Sequence, residues 1–123
     1  MLNFSDLVQI YVCVAPTDMR KGFDSLAAIV RDGLGYDPLS GHLFVFRSRR
    51  GDRIKLLWWD RDGLALYYRR LEKGTFRFPT ANDSQTKSIE ISSQELSLVL
   101  WGIDPASVKW QPRYQHSASI CPA

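Results

Sequence analysis

A cluster of basic residues is the part of this sequence whose residue types best fit a chemical role. It comprises Arg47, Arg49, Arg50, Arg53 and Lys55. Planar guanidinium groups form paired hydrogen bonds with phosphate oxygens, and such contacts give affinity for a nucleic acid backbone without reading the bases. The spacing therefore predicts a DNA-binding surface. The alternative is a solvated, Arg-rich sheet edge that discourages aggregation.

The charge of the chain is unevenly distributed around this cluster. The 123 residues carry a net charge of +3, but residues 43–78 hold ten Lys and Arg against four Asp and Glu. The rest of the chain holds six against nine. A basic centre with an acidic periphery suits a polyanionic partner such as nucleic acid.

Three apolar segments separated by two short Gly- and Asp-containing turns surround the cluster. The segments are 43–48, 53–59 and 64–71, and the turns are 49–52 and 60–63. This pattern predicts a three-stranded antiparallel meander. Turns of this length set Ser48 opposite Arg53 and Trp59 opposite Leu64.

The two faces of this meander differ in polarity, because side chains alternate along a strand. One face is nearly all apolar, and we expect the helices to pack on it. On the other face Arg69 lies opposite Ile54, close to Arg47, so Arg69 joins the predicted DNA-binding residues. Trp58 and Tyr67 share that face and could stack on bases or contact a partner protein. Alternatively, they belong to the core or to an interface.

Two helices are predicted outside the meander. Apolar residues at helical spacing between Phe23 and Val30 indicate a helix over about 19–32. Ser92 and Glu95 form a capping box that begins a second helix, which ends at Gly102. Strands over 9–14 and 88–91 complete an α+β domain at residues 1–105. We expect an antiparallel sheet of about four to six strands, two helices mainly on one face, and a polar C-terminal tail at 106–123.

The first turn of the earlier helix has an unusual composition. Arg20 and Lys21 place positive charge at the positive end of the helix dipole, and Gly22 lowers helix propensity. One interpretation is an anion contact at the helix N-terminus by Arg20, Lys21 and Gly22. The other is that Arg20 pairs with a nearby acid and Gly22 permits close packing.

The sequence shows no arrangement typical of an enzyme, metal site or cofactor site. His42 and His116 have no partner at ligand or triad spacing, and Cys13 and Cys121 do not form a metal motif. We therefore predict no enzymatic activity and no cofactor. The N-terminus has no signal peptide pattern and no segment is apolar enough to span a membrane, so we expect a cytoplasmic protein with no membrane partner.

Several blocks of sequence, in order, carry a family resemblance. They are 18–24 (DMRKGFD), 43–47 (LFVFR), 50–55 (RGDRIK), 58–60 (WWD), 67–68 (YY) and 70–74 (RLEKG). Over about residues 9–104 the chain resembles the small accessory protein of bacterial insertion sequences of family sixty-six, called TnpB or the second reading-frame protein. The resemblance implies a role in DNA transposition beside a separate, larger transposase. It brings no established catalytic residues.

Two functions follow as expectations. The first is a non-catalytic accessory factor that binds DNA through the basic hairpin and assists the transposase. The second is a protein-interaction module that docks on the transposase or forms a homo-oligomer without contacting DNA. Salt dependence separates the two, because neutralising phosphates releases counterions.

Overall fold

A five-stranded sheet forms the centre of the fold. The computed structural model describes residues 7–79, 85–104 and 109–110. The strands are β1 (Ile10–Cys13), β2 (Leu43–Arg47), β3 (Arg53–Asp60), β4 (Gly63–Arg70) and β5 (Ser88–Ile91). Their order across the sheet is β4-β3-β2-β1-β5. Helix α1 (Phe23–Ala28) continues as a π-helix (Ile29–Leu34), and α2 (Ser93–Trp101) follows β5.

The predicted meander and its register are confirmed. Strands β2, β3 and β4 pair antiparallel, with Trp59 opposite Leu64 and Ile54 opposite Arg69. The expectation of a wholly antiparallel sheet is wrong at one pair, since β1 and β2 run parallel. The chain between them crosses over through α1, and a helical crossover joins parallel strands. The sheet is therefore mixed, within the predicted α+β class.

The two helices cover opposite faces of the sheet. The prediction that both pack mainly on one face is wrong. The α1 side of the core comprises Tyr11, Cys13, Leu26, Ala27, Val30, Phe44, Phe46 and Leu57. The α2 side comprises Ile10, Val12, Leu43, Val45, Ile54, Leu56, Leu71, Phe76, Ile91, Leu96, Val99 and Leu100. Strand β1 is buried at every position. A central strand that is apolar on both sides needs cover on both, and one helix supplies each.

The helical segment formed by α1 and the π-helix begins later than the sequence predicts, at Phe23, and ends later, at Leu34. The Oδ1 atom of Asp18 accepts a hydrogen bond from the Arg20 N–H at 2.9 Å, and the Lys21 N–H bonds the Asp18 carbonyl. These bonds form a separate turn before the helix, so Gly22 becomes the N-cap. At the other end Gly35, with φ of +78°, caps the π-helical segment.

The capping box of α2 is confirmed. The Ser92 hydroxyl accepts from the Glu95 N–H, and the Glu95 carboxylate accepts from the Ser92 N–H, both at 3.0 Å. Gly102 ends the helix in the left-handed region. Beyond it, strand β6 (Ile103–Asp104) pairs antiparallel with β7 (Lys109–Trp110). The predicted boundary at residue 105 and most of the predicted tail lie outside the described residues.

No helix in the described part of the chain is long and apolar enough to cross a membrane.

Candidate nucleic-acid interface

The turn between β2 and β3 holds the predicted basic cluster in one conformation. The Gly51 N–H bonds the Ser48 carbonyl at 3.0 Å, and Gly51 has φ of +82°. The Ser48 hydroxyl donates to Asp52 at 3.2 Å and accepts from the Arg53 N–H at 3.1 Å. These hydrogen bonds therefore fix the conformation of the turn between Ser48 and Arg53. Ser48 and Gly51 themselves are buried.

A second segment braces this turn from below. The N–H of Phe76 bonds the Gly51 carbonyl at 2.7 Å, and the N–H of Leu71 bonds the Asp52 carbonyl at 2.8 Å. Phe76 and Leu71 are buried in the α2-side core. The backbone of the turn is thus attached to the hydrophobic core. Its outward side chains are not needed to hold the turn in place.

Arg49 and Arg50 project from this braced turn. Both are exposed, and neither forms a hydrogen bond or ion pair within the described part of the chain. They border a shallow cleft lined by Thr17, Asp18, Met19, Ser48, Arg49, Arg50, Asp52 and Arg53. Unpaired guanidinium groups at a fixed turn are available to an anionic ligand.

Arg53 is half-buried at the start of β3, beside this cleft. Its guanidinium donates to the Tyr68 hydroxyl at 3.3 Å, a neutral acceptor that leaves the charge uncompensated. Arg70 lies opposite Arg53 in the sheet but is paired with Glu72 at 2.9 Å. Arg53 therefore adds positive charge to the cleft, whereas the charge of Arg70 is partly neutralised.

Three predicted DNA-binding residues are hydrogen-bonded within the fold. Each donates to a backbone carbonyl: Arg47 to Val14 at 2.8 Å, Lys55 to Lys21 at 2.7 Å and Arg69 to Leu100 at 3.2 Å. Leu100 lies in the last turn of α2, where carbonyls lack helical partners and a cation is favourable. Side chains committed to such carbonyls are poorly placed to contact DNA.

Lys55 is the most deeply buried of the predicted DNA-binding residues. Its side chain is buried, at 6% relative exposure, and its ammonium lies 4.6 Å from the centre of the Tyr68 ring. The sequence grouped Lys55 with the basic cluster, but β3 directs its side chain to the face of the sheet that α1 covers. We leave Lys55 out of the candidate surface.

The alternative to an anion contact at Arg20, Lys21 and Gly22 is confirmed for Arg20 only. Gly22 does not permit close packing, since a Cβ atom at this position would meet no described atom within 4 Å. Arg20 is paired with Asp18 at 2.8 Å. Hydrogen bonds from Arg20 hold the pKa of the Asp18 carboxyl well below its usual range, with smaller contributions from the charges of Arg20 and Lys21. The Lys21 carbonyl accepts from Lys55, and Gly22 is the N-cap of α1. The charge of Arg20 is therefore paired within the molecule, whereas the hydrogen bonds of Lys21 are made by its backbone.

Trp58 and Tyr67, the predicted partner surface, are half-buried. Both pack against the α2-side core, and Leu56, which lies directly opposite Tyr67 in the sheet, is fully buried. The face that the sequence left open is covered by α2. The alternative interpretation, in which these aromatic residues belong to the core, describes their position better.

Arg77 lies in the segment that contacts the turn and was not among the predicted DNA-binding residues. It is exposed and has no hydrogen-bond or ion-pair partner among the described residues. It directly follows Phe76, whose N–H bonds the turn at Gly51. The sequence signal was weak, because Phe76-Arg77-Phe78 resembles a strand extension, and only the three-dimensional contact places it beside the turn.

Other groups with chemical potential are used structurally. The Nδ1 atom of His42 accepts from the Gln9 N–H at 3.0 Å. Cys13 is buried, and burial raises the pKa of its thiol. Within the described ranges no group of His, Cys, Asp and Glu is placed to hold a metal ion.

The fold and the site together define a small α+β protein with a braced basic turn at one end of its sheet. The model of the IS66 Orf2-like protein family matches residues 8–110. The chain belongs to this family, and membership assigns it a transposition-associated accessory role. The resemblance read from the sequence blocks is thereby confirmed.

Two relatives from Sinorhizobium fredii are similar over most of their length. The uncharacterized protein y4hO is 42% identical over 104 residues, covering 85% of this chain and 88% of the relative. The uncharacterized protein y4jC is 38% identical over 112 residues, covering 91% and 93%. No solved structure matches the chain.

Proposed function

We propose that this protein binds the DNA backbone through its β2–β3 turn and thereby assists a separate transposase without catalysing a reaction itself. The contacting residues are Arg49, Arg50, Arg53 and Arg77. The first two supply the main phosphate contacts. Arg53 and Arg77 add charge beside them.

The observation that carries this proposal is the state of Arg49 and Arg50. They are exposed and unpaired within the described residues, and they stand on a turn that its own hydrogen bonds and the core hold in place. A fixed backbone lowers the entropy cost of binding, and the guanidinium fork suits phosphate oxygens. The inferred contacts are with phosphates, so we expect little sequence selectivity from them.

A salt-titrated binding assay on element-end DNA tests the proposal. The variant is Arg49→Ala with Arg50→Ala. We expect it to bind roughly tenfold or more weakly at low salt, and to show a salt slope shallower by about 2, because two phosphate contacts are lost.

A matched double variant tests whether the loss of DNA affinity comes from this surface or only from the lower net charge of the protein. Arg31→Ala with Arg61→Ala removes the same charge from exposed positions elsewhere, in the π-helical segment and the β3–β4 turn. We expect it to retain near-normal affinity. Equal losses in the two double variants, or no DNA complex even at low salt, would reject the proposal.

A second candidate function is direct docking on the transposase. Trp101, at the end of α2, is 55% exposed, and large aromatic residues are enriched at protein interfaces. Co-purification of this protein with the transposase after nuclease digestion, weakened by Trp101→Ala, would support docking. Co-purification that disappears after nuclease digestion would mean that DNA bridges the two proteins.

A further inference from the structure

Strand β4 is an edge strand without the usual protection against pairing. It has eight residues, and all eight pair with β3 in one continuous register, so it contains no bulge. No described residue pairs with its outer side. Between Gly63 and Arg69 it contains neither proline nor charge, reading Leu64-Ala65-Leu66-Tyr67-Tyr68. Long apolar edges of this kind favour pairing with another strand.

The opposite edge of the same sheet differs. Strand β5 has four residues and includes the exposed Glu90. Short length and charge are the features by which proteins block edge pairing. The tendency to accept a further strand is therefore specific to β4.

The backbone groups that face outward can be identified. The Leu71 N–H bonds the Asp52 carbonyl across the β3–β4 hairpin. Alternate residues of an antiparallel strand bond the same neighbour, so odd-numbered residues of β4 face β3. The N–H and C=O groups of Leu64, Leu66, Tyr68 and Arg70 point to the outer edge.

Two copies of β4 can form hydrogen bonds through these outward groups in only certain antiparallel registers. A two-fold axis at Leu66 sets Leu66 opposite its own copy and Leu64 opposite Tyr68. The same register places Asp62 of each copy opposite Arg70 of the other. Asp62 lies in the turn just before β4 and has no ion-pair partner among the described residues. Arg70 is already paired with Glu72 of its own chain, so the copy's Asp62 would add a second carboxylate to the Arg70 guanidinium, and opposite charges facing each other across strands are favourable. A shift of the axis to Tyr67 would instead set Leu64 opposite Arg70.

We propose that two copies of this chain associate through β4, antiparallel about Leu66, and so form one continuous ten-stranded sheet. Arg53 pairs with Arg70, so the basic turn lies at the C-terminal end of β4. The two-fold axis therefore places the two basic turns at opposite ends of the joined strands, offset by roughly 27 Å along the strand direction. This inference does not depend on DNA binding.

Sedimentation of the purified full chain, free of DNA, tests the dimer. We expect a concentration-dependent dimer. Asp62→Arg or Arg70→Asp alone should raise its Kd by roughly tenfold, since each replaces two symmetry-related ion pairs with like-charge contacts. Arg70→Asp also removes the Arg70–Glu72 pair within each chain, so Asp62→Arg is the cleaner single variant. The combined Asp62→Arg/Arg70→Asp variant should restore dimerisation, because it exchanges the two charges. A chain that stays monomeric at high micromolar concentration would overturn the proposal.

Cross-linking tests the register. Leu66→Cys, in a chain carrying Cys13→Ala and Cys121→Ser, should form a disulfide-linked dimer on mild oxidation, because paired strands bring the two Cα atoms within disulfide range. Ser93→Cys, exposed on α2, should not. Equal cross-linking at both positions would refute pairing through β4. So would a dimer Kd that the single and combined charge variants leave unchanged.

Discussion

Lys55 places a charged ammonium inside the protein. Its Nζ atom donates to the Lys21 carbonyl at 2.7 Å and lies against the Tyr68 ring. Burying a charge is costly unless it is hydrogen-bonded, and removing the donor leaves the carbonyl unpaired. We expect Lys55→Ala to lower the free energy of unfolding by about 1–3 kcal/mol, as measured by urea denaturation.

Lys55 also provides a control for the proposed DNA-binding surface. Lys55→Met keeps the aliphatic chain and loses the donor, so it should cost less stability than Lys55→Ala. Folded Lys55 variants should bind DNA with the affinity and salt slope of the parent. A weaker DNA complex at unchanged stability would return Lys55 to the binding surface.

Cys13 should react slowly with alkylating agents. Its thiol is buried and lies 3.5 Å from the Ala15 carbonyl oxygen, to which it donates. Desolvation by burial raises its pKa, an effect opposed by smaller contributions from Thr17, Ala15 and Arg47. A raised pKa means less of the reactive thiolate at any given pH.

Iodoacetamide labelling followed by peptide mapping measures this difference. At pH 8 we expect Cys13 to be modified more slowly in the folded protein than in urea. The difference should narrow as the pH rises, because the folded thiol also becomes deprotonated. Equal rates in the two states would contradict the buried position of Cys13.

At the level of elements, the β2–β3 turn depends on Gly51. Its φ of +82° is unfavourable for residues with a side chain, and an added Cβ would lie 3.4 Å from the Cβ of Thr75. We expect Gly51→Ala to cost about 1–2 kcal/mol of stability and to weaken DNA binding without removing any charge. Gly63→Ala is the matched control, since Gly63 has ordinary φ and open space around it. It should change stability by less than about 0.5 kcal/mol.

The elements that sequence predicts best are those set by neighbouring residues. The hairpin register follows from turn length, so Trp59 was correctly placed opposite Leu64. The capping box at Ser92 likewise depends on residues three apart. Contacts between segments distant in the chain could not be predicted from the sequence. The parallel β1–β2 pair, the helix on each face, and the Lys55 bond to a carbonyl 34 residues away all depend on how distant segments meet.

At the scale of the whole molecule, one sheet serves two cores. Alternate residues of β2 point to opposite sides: Phe44 to α1 and Val45 to α2. Damage to either core therefore weakens the same strands. Because described residues pack on both faces of the central strands, the sites proposed above lie at a turn and at a sheet edge.

A pair of equivalent substitutions tests whether the two cores unfold together. Leu26 and Leu96 are buried on opposite sides of the sheet, and Leu→Ala in a core costs about 2–5 kcal/mol. Because the sheet is shared, we expect each variant to lower the urea midpoint while unfolding in one transition. Far-ultraviolet circular dichroism and tryptophan fluorescence should coincide, since tryptophans lie in both β3 and α2. Two separate transitions in the Leu26→Ala variant, with fluorescence retained after partial loss of helix signal, would show that the α1 side unfolds independently.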